Sequence, residues 1–540
     1  MSQSSTRVAD LIAARLYEAG CRNAYGIPGG EVLTLVDALE RAGLKFHLAK
    51  HENCAGFMAE GDHHVTGAPG VLVATIGPGA ANAANVVANA LQDRVPLIVL
   101  TGCVDADESL EYTHQVMDQQ ALFAPITKAS FRVSERGADL LIDKAISIAT
   151  GQRPGPVHID LPIAVAAAAA EAGNRPRHAP VAPVAPAPSP ALEEARAWLK
   201  EAERPIVVAG LDILTEGADA ALRDFVETCG APLITTYKAK GVLPEDHPLA
   251  LGGAGLSPTN DKALLPLIAQ SDFVLLAGYD PIEMRSGWRD AWDPRRQRVV
   301  ELAAETNHQG MHQANHCFVS DLAAGLAALV DDHKANGTWP GGEPDAAKQS
   351  LEAAYAVNES WGPAAIVRTA RQSLPRDTIA TVDSGAHRIL LSQVWDCYLP
   401  RGLLQSTGFC TMGCALPLAI GAKRAAPQRP LVAFTGDAGL EMVLGELATL
   451  RDLALPVIVV VFVDASLALI ELKQRGRQLP NQGVLFGRTD FPAVAEALGG
   501  HGVVADSRES LSSAIEAAFG AERFTIIACP IEDRAYDGRL

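Results

Sequence analysis

The feature that most restricts how this chain can fold is a recurring pattern: a short, continuous β-branched run, then a Gly-containing turn, then a helical stretch. The runs include VLVATIG near Val71, VPLIVLTG near Val95, RPIVVAG near Ile206, DFVLLAG near Phe273, LVAFTGD near Val432 and PVIVVVFVD near Val457. Uninterrupted apolar strands alternating with helices predict parallel sheets buried on both faces. A chain of 540 residues is too long for one core. Two composition breaks divide it. Residues 164 to 190 are Pro/Ala-biased and read as an extended connector, and 336 to 349 read as a Gly/Pro-rich turn region. Three doubly wound α/β domains are expected, at 1–165, 190–335 and 360–540. In open sheets of this kind ligands bind outside the carboxyl ends of the strands, so the turns after the strands are where chemistry is to be sought.

Composition removes several function classes. A formal net charge of -18 without a dense Lys/Arg run would repel a phosphate backbone, so nucleic acid is not an expected partner. The nine cysteines are scattered and form no CxxC pair, which suits reduced, structural thiols. No stretch approaches the roughly 20 apolar residues that span a bilayer. The N-terminus reads as an amphipathic helix with Val8, Leu11, Ile12 and Leu16 on one side rather than as a secretory signal. A cytoplasmic enzyme of small metabolites, not associated with membranes, is the expectation.

The segment TGDAGLEMVLGELATLRDLALPVIVVVFVDASLALI places Asp437 and Asp464 at the ends of two strands, 27 positions apart. That is the length of one strand-helix-strand crossover, so in a parallel sheet the two carboxylates can converge. Paired hard oxygen ligands suit Mg²⁺ held jointly by protein and a diphosphate, and Ala438 and Gly439 leave room for backbone amides near an anion. The alternative is that Asp437 caps a helix and Asp464 ends a strand in a turn.

This segment resembles the motif of the thiamine-diphosphate enzymes, which begins with GDG and ends in a double Asn. Ala438 stands here for the last Gly, and Val463-Asp464 for Asn-Asn. The resemblance implies Asp437, Asp464 and the backbone carbonyl of Ser466 as metal ligands, with Gly436, Ala438, Gly439, Ser466 and Leu467 lining the cofactor. Gly385-Ala386-His387 in VDSGAHRILLSQ resembles the stretch that contacts the cofactor diphosphate in acetolactate synthases. STGFCTMGCALPLAIGAK resembles the turn whose bulky apolar residue, here Met412, sits beneath the thiazolium.

In the N-terminal third, Glu52 follows the strand-like FHLAK and starts a helix whose small residues permit close packing. From position alone it is a favourable partner for the helix dipole. Together with Thr66-Gly67 and Gly77-Pro78-Gly79, His51-Glu52 resembles the pyrimidine-binding region of the acetolactate synthase group. The resemblance implies a buried glutamate that helps remove a weakly acidic proton from the cofactor, with Gly79 close by. It also implies that the backbone of Gly29 and Gly30 in AYGIPGGEV lies against the active site and that Gln115 faces the reacting centre. His114 stands where these synthases usually carry Phe. It approximates a histidine of the 2-oxo acid decarboxylases, where it could protonate an intermediate and release an aldehyde. His63 and His64 read as ordinary surface or packing residues.

The central domain resembles the one that binds FAD, ADP or nothing in different relatives, and Gly278-Tyr279-Asp280-Pro281-Ile282-Glu283 is closest to the FAD-free type; FAD is possible but not favoured. Arg285 reads as a surface residue that could approach an acceptor carboxylate, and Lys473 or Arg475 as a solvated helix face that could pair with an anionic substrate. With the two cofactor-binding halves in separate domains, the resemblance implies a homodimer or homotetramer with sites between subunits. The expected activity is a carboligase or lyase acting on pyruvate or a similar 2-oxo acid and a carbonyl acceptor. A non-ligating decarboxylase and a catalytically silent cofactor-binding subunit are the alternatives.

Overall fold

A computed structural model describes residues 6–170, 182–331 and 337–540. It contains three six-stranded sheets whose paired strands all run parallel. The first comprises β1 (Asn23–Ile27), β2 (Lys45–Leu48), β3 (Gly70–Ala74), β4 (Leu97–Cys103), β5 (Ala129–Arg132) and β6 (Val157–Pro162), in the order β2-β1-β3-β4-β6-β5. The second comprises β7 (Pro205–Ala209), β8 (Leu233–Thr236), β9 (Ala250–Ala254), β10 (Phe273–Ala277), β11 (Arg298–Ala303) and β12 (His316–Val319), in the order β12-β11-β10-β7-β8-β9. The third comprises β13 (Ile379–Val382), β14 (Leu403–Gln405), β15 (Leu431–Gly436), β16 (Ile458–Val463), β17 (His501–Val504) and β18 (Thr525–Pro530), in the order β14-β13-β15-β16-β18-β17.

The six quoted apolar runs are all strands, and β3, β4, β7, β10 and β16 are buried along their whole length. Helices cover both faces, so an alternating apolar-polar pattern would have left polar groups without partners. The first and third sheets share one strand order, and each changes direction between its first and third strands, β1/β3 and β13/β15. The middle sheet has its switch between β7 and β10.

The N-terminal helix Val8–Glu18 buries Val8, Ile12 and Leu16, while Leu11, expected on the same side, is only partly buried against their core. The two composition breaks fare differently. Ile163–Ala167 is a short helix, Ala169 pairs with Arg7, and 171–181 lie outside the described residues. The region 336–349 is not a turn throughout. Pro344 falls in the first turn of a helix, Glu343–Ala354, where its missing N–H costs nothing, and Trp339 donates from Nε1 to the Pro205 carbonyl, binding this stretch to the middle domain.

The first and third domains meet where the helix Glu52–Thr66 crosses the helix Ala415–Ala425. The crossing is backbone to backbone. A Cβ on Gly421 would lie 1.8 Å from the Met58 carbonyl oxygen, and one on Gly61 would lie 2.2 Å from that of Leu418. Behind the crossing, Lys238 of the middle domain reaches Asp93 at 2.9 Å, and Asp93 also accepts from the backbone of Thr407 and Gly408 in the third. Among the described residues, no helix is long and apolar enough to cross a membrane.

Candidate active site

Both constellations singled out in the sequence lie at or beside the switch points of their sheets. At β1/β3, Glu52 begins its helix and is only 5% exposed. Its Oε2 accepts from Asn82 Nδ2 at 3.0 Å, and a Cβ on Gly79 would lie 3.2 Å from Oε1. A larger residue at 79 would therefore press on the carboxyl. The preceding Gly77 has φ 64° and ψ -104°, a conformation open only to glycine. Gly29 also packs without a side chain, since a Cβ there would lie 2.1 Å from Thr75 Oγ1; Gly30 faces open space. The two expected glycines thus differ: one is a close backbone approach, the other is not constrained.

Gln115 lies on an exposed loop at φ 59°, with its backbone carbonyl against Gly77. His114 is exposed beside it, edge-on to Tyr112. His63 and His64 are packing residues. His63 Nδ1 bonds the Ala68 carbonyl, and His64 lies between Glu60 and Arg401. Burial pushes the His63 imidazole down to about 3.

Beside the β13/β15 switch point, at the neighbouring ends of β15 and β16, the paired carboxylates converge. Asp437 Oδ2 accepts from the backbone N–H groups of Asp464 (3.1 Å) and Ala465 (2.7 Å), and Oδ1 from that of Ala438 (2.8 Å). Asp464 Oδ1 accepts from Ser466 N at 3.1 Å. Burial, then the neighbouring Asp437 charge, pushes Asp464 up to about 7; burial also raises Asp437. Ser466 Oγ is buried without a partner. Two crowded carboxylates beside an orphaned oxygen fit a hard divalent cation. Among the described residues no group of three or more His, Cys, Asp or Glu is arranged to hold an ion by itself. Mg²⁺ commonly takes one or two carboxylates and completes its shell with phosphate oxygens and water, so two suffice.

One residue at this switch point was not anticipated. Asp383, fully buried, ends the stretch after β13. Its Oδ1 meets His387 Nε2 at 2.9 Å and Gly436 N at 3.3 Å, and its Oδ2 accepts from Gly413 N at 2.8 Å. A Cβ on Gly439 would lie 2.0 Å from Oδ2. One carboxylate therefore gathers the turns bearing His387, Met412 and Asp437. It had the signature already used for Asp437, an Asp at a strand end before a small residue. The crowding also explains Ala438: it lies in a helical turn with a negative φ and tolerates a Cβ, while Gly439 does not. Gly385 and Ala386 enter the helix Ala386–Val394, Met412 is half-buried, and Leu467 N donates to Val484 O.

Other expected groups are engaged elsewhere. Arg285 binds Asp261, which also accepts from Trp288 Nε1, so it is a paired, partly buried cation rather than a free surface one. Arg475 is taken up by Glu471 (2.7 Å) and Asp537 (2.6 Å), while Lys473 is exposed. The switch point of the middle domain is not an open cradle for a dinucleotide diphosphate. At its switch point the strand ends carry Asp212 after β7, Asp280 after β10 and Glu305 after β11. Arg153 of the first domain fills the space between them, 3.5 to 3.8 Å from all three, and Arg94 holds Asp280 at 2.9 Å. The carboxylates of this crevice repel a diphosphate, and its two guanidinium groups are already engaged by them.

Comparison with known proteins agrees with this layout. The N-terminal thiamine pyrophosphate binding domain family matches residues 6–122, the central domain of the same enzymes 192–329, and the C-terminal thiamine pyrophosphate binding domain 383–529. An acetolactate synthase of Bacillus subtilis is 30% identical across 97% of this chain and 93% of its own length. An acetolactate synthase large subunit of Lactococcus lactis is 30% identical across 94% and 90%, and a protein named probable 2-ketoarginine decarboxylase from Pseudomonas aeruginosa is 30% identical across 97% and 94%. With both switch-point constellations in the matched domains, the chain belongs to the thiamine pyrophosphate enzymes of the acetolactate synthase type.

Proposed function

We propose that this protein is an Mg²⁺-dependent carboligase that decarboxylates pyruvate or a similar small 2-oxo acid and joins the retained carbon to a second carbonyl compound. The observation that carries this reading is the buried Glu52 carboxyl, fixed by Asn82 and Gly79 in the first domain and matched in the third by the Asp437–Asp464 pair at the ends of β15 and β16.

Asp437, Asp464 and the Ser466 carbonyl would hold Mg²⁺ and, through it, the cofactor diphosphate. Gly385, Ala386, His387, Gly436, Ala438 and Gly439 would flank that diphosphate, Met412 and Leu467 would support the ring, and Glu52 and Gly79 would face the pyrimidine. Thiamine diphosphate, when bound, supplies a nucleophilic carbon that adds to the 2-oxo group and takes up the electron pair released with CO₂. Glu52 holds and returns a proton at its carboxyl, and burial beside Asn82 keeps water from competing for it. Gln115 presents its amide to the substrate, and Gly29 lets the backbone approach closely.

A second copy is part of this reading. Large apolar residues remain exposed beside both halves: Leu110 (87%) on the loop of Gln115, and Met442 (65%) and Leu485 (70%) around Asp437 and Ser466. A cytoplasmic homodimer or homotetramer would cover them and join the half-site of one chain to the complementary half of another. Simple decarboxylation is the second reading, favoured by His114 and by the relative named for decarboxylation.

Proton NMR of the protein with thiamine diphosphate, Mg²⁺ and pyruvate, with and without an added aldehyde, separates the two. A hydroxyketone such as acetolactate is expected, whereas acetaldehyde alone would establish the second reading. In the same assay Glu52→Gln should bind cofactor but turn over on the order of 10²–10⁴ more slowly. Unchanged turnover would remove Glu52 from the proton path.

A further inference from the structure

The buried glutamine of the first domain is not Gln115 but Gln119, four residues on, at the start of the helix Gln119–Phe123 and only 2% exposed. Its side-chain carbonyl accepts from Gly77 N at 2.8 Å. Its amide nitrogen donates to Asp160 Oδ1 at 2.6 Å, and to Thr101 Oγ1 and the Gly102 carbonyl at 3.2 Å. The donors and acceptors of the amide are therefore assigned by their partners. Asp160 is anchored in turn. Burial would raise it, but hydrogen bonds and charge from His158, with bonds from Thr101 and Gln119, hold it below the usual carboxylate range. His158 bonds Thr101 Oγ1 at 2.7 Å and Ser130 at 2.8 Å, which carries the network to the edge strand β5.

On its other side, this network ends at the turn that shapes the Glu52 site. Gly77 adopts a backbone conformation that costs nothing only to glycine, and an N–H in such a turn has no helix or strand partner of its own. Gln119 supplies that partner. One residue past Pro78, Gly79 bears on Glu52 Oε1; one helical turn later Asn82 holds Oε2. The carbonyl of Gln115 closes on Gly77 from the loop side, at a residue held in the left-handed region. Strain of this sort persists where the surroundings over-determine it.

We infer that Gln119 is a positioning residue: through Gly77 it fixes the turn that orients the Glu52 carboxyl and the Gln115 loop together. This rests on the reading of Glu52 given above. The amide is suited to the task because it accepts from Gly77 and donates to Asp160 at once. A carboxylate could only accept, and an apolar side chain could do neither.

The test uses the full-length protein with Gln119→Leu and Gln119→Glu. Hydrogen-deuterium exchange of the free protein, read on the peptide that contains Gly77, should speed up in Gln119→Leu. In both variants kcat should fall on the order of 10²-fold, while KM for the 2-oxo acid stays within about threefold, as for a misplaced catalytic group. Gln119→Glu keeps the Gly77 acceptor but sets a carboxylate against Asp160. Its turnover should therefore recover as pH falls and a proton restores the donor; Asp160 and His158 are the titratable groups facing it. If Gln119→Leu does not fold, this acid-side recovery decides the matter. Unaltered kcat in both variants, or a loss confined to melting temperature or KM, would overturn the inference. Faster Gly77 exchange with normal turnover would also overturn it while leaving the assigned reaction, tested independently by product identity, in place.

Discussion

Residue by residue, the site is defined by carboxylates placed where burial is costly. Asp464 shows the consequence. Its folded pKa, pushed up to about 7 by burial and by Asp437, lies above the unfolded value near 4. A group raised in this way stabilises the fold below its unfolded pKa, and that contribution is lost as pH rises through the folded one. Metal-free protein should therefore lose thermal stability between about pH 4 and pH 7 on this account, and Asp464→Asn should be more resistant than the parent at about pH 8. Under the proposed function Mg²⁺ would need both carboxylates ionised, so stabilisation by Mg²⁺ with thiamine diphosphate should grow over the same interval. Melting curves across pH, with and without both ligands, check the sign. A parent protein that becomes more stable with pH while metal-free would contradict it. Asp383 was as legible as Asp437, an Asp closing a β-branched run. Its importance was hidden because its partners, His387, Gly413, Gly436 and Gly439, come from three separate turns.

Among elements, the helix Glu52–Thr66 does two tasks. Its first residue enters the candidate site, and its middle crosses the helix Ala415–Ala425 at a distance only glycines allow. The backbone of Lys50 and His51, just ahead of Glu52, also donates to Glu446 of the third domain at 3.0 and 3.1 Å. A shift at the crossing would thus reach the Glu52 carboxyl of the candidate site. Gly421→Ala should destabilise the fold by about 1–3 kcal/mol through overpacking, seen as a lower melting temperature, with activity falling alongside it. An unchanged melting temperature would mean that the helices can separate freely at this point. The sequence showed small residues along the Glu52 helix and hence close packing, but not the partner: α-helical periodicity identifies a buried face without naming what covers it.

At the scale of the whole molecule, two domains of like topology carry the two halves of a cofactor site, and a third, sealed at its switch point by Arg94 and Arg153, ties them together. Leu110, Met442 and Leu485 stand exposed around those halves. Leu110→Glu should therefore yield a folded chain of smaller mass by light scattering, with little turnover. Retention of the parent's mass and activity would place the subunit contact elsewhere. The sequence by itself determined the three parallel sheets, the strand-end positions of Asp437 and Asp464, and Glu52 at the start of a buried helix, because these follow from local periodicity and from where apolar runs stop. Only the tertiary structure decided that Gln119 rather than Gln115 is buried, that Arg285 and Arg475 are already paired, that 343–354 is helical, and that Asp383 joins three turns. Each of these depends on which groups are left to satisfy a buried donor or charge, and that choice is made by residues distant in the chain.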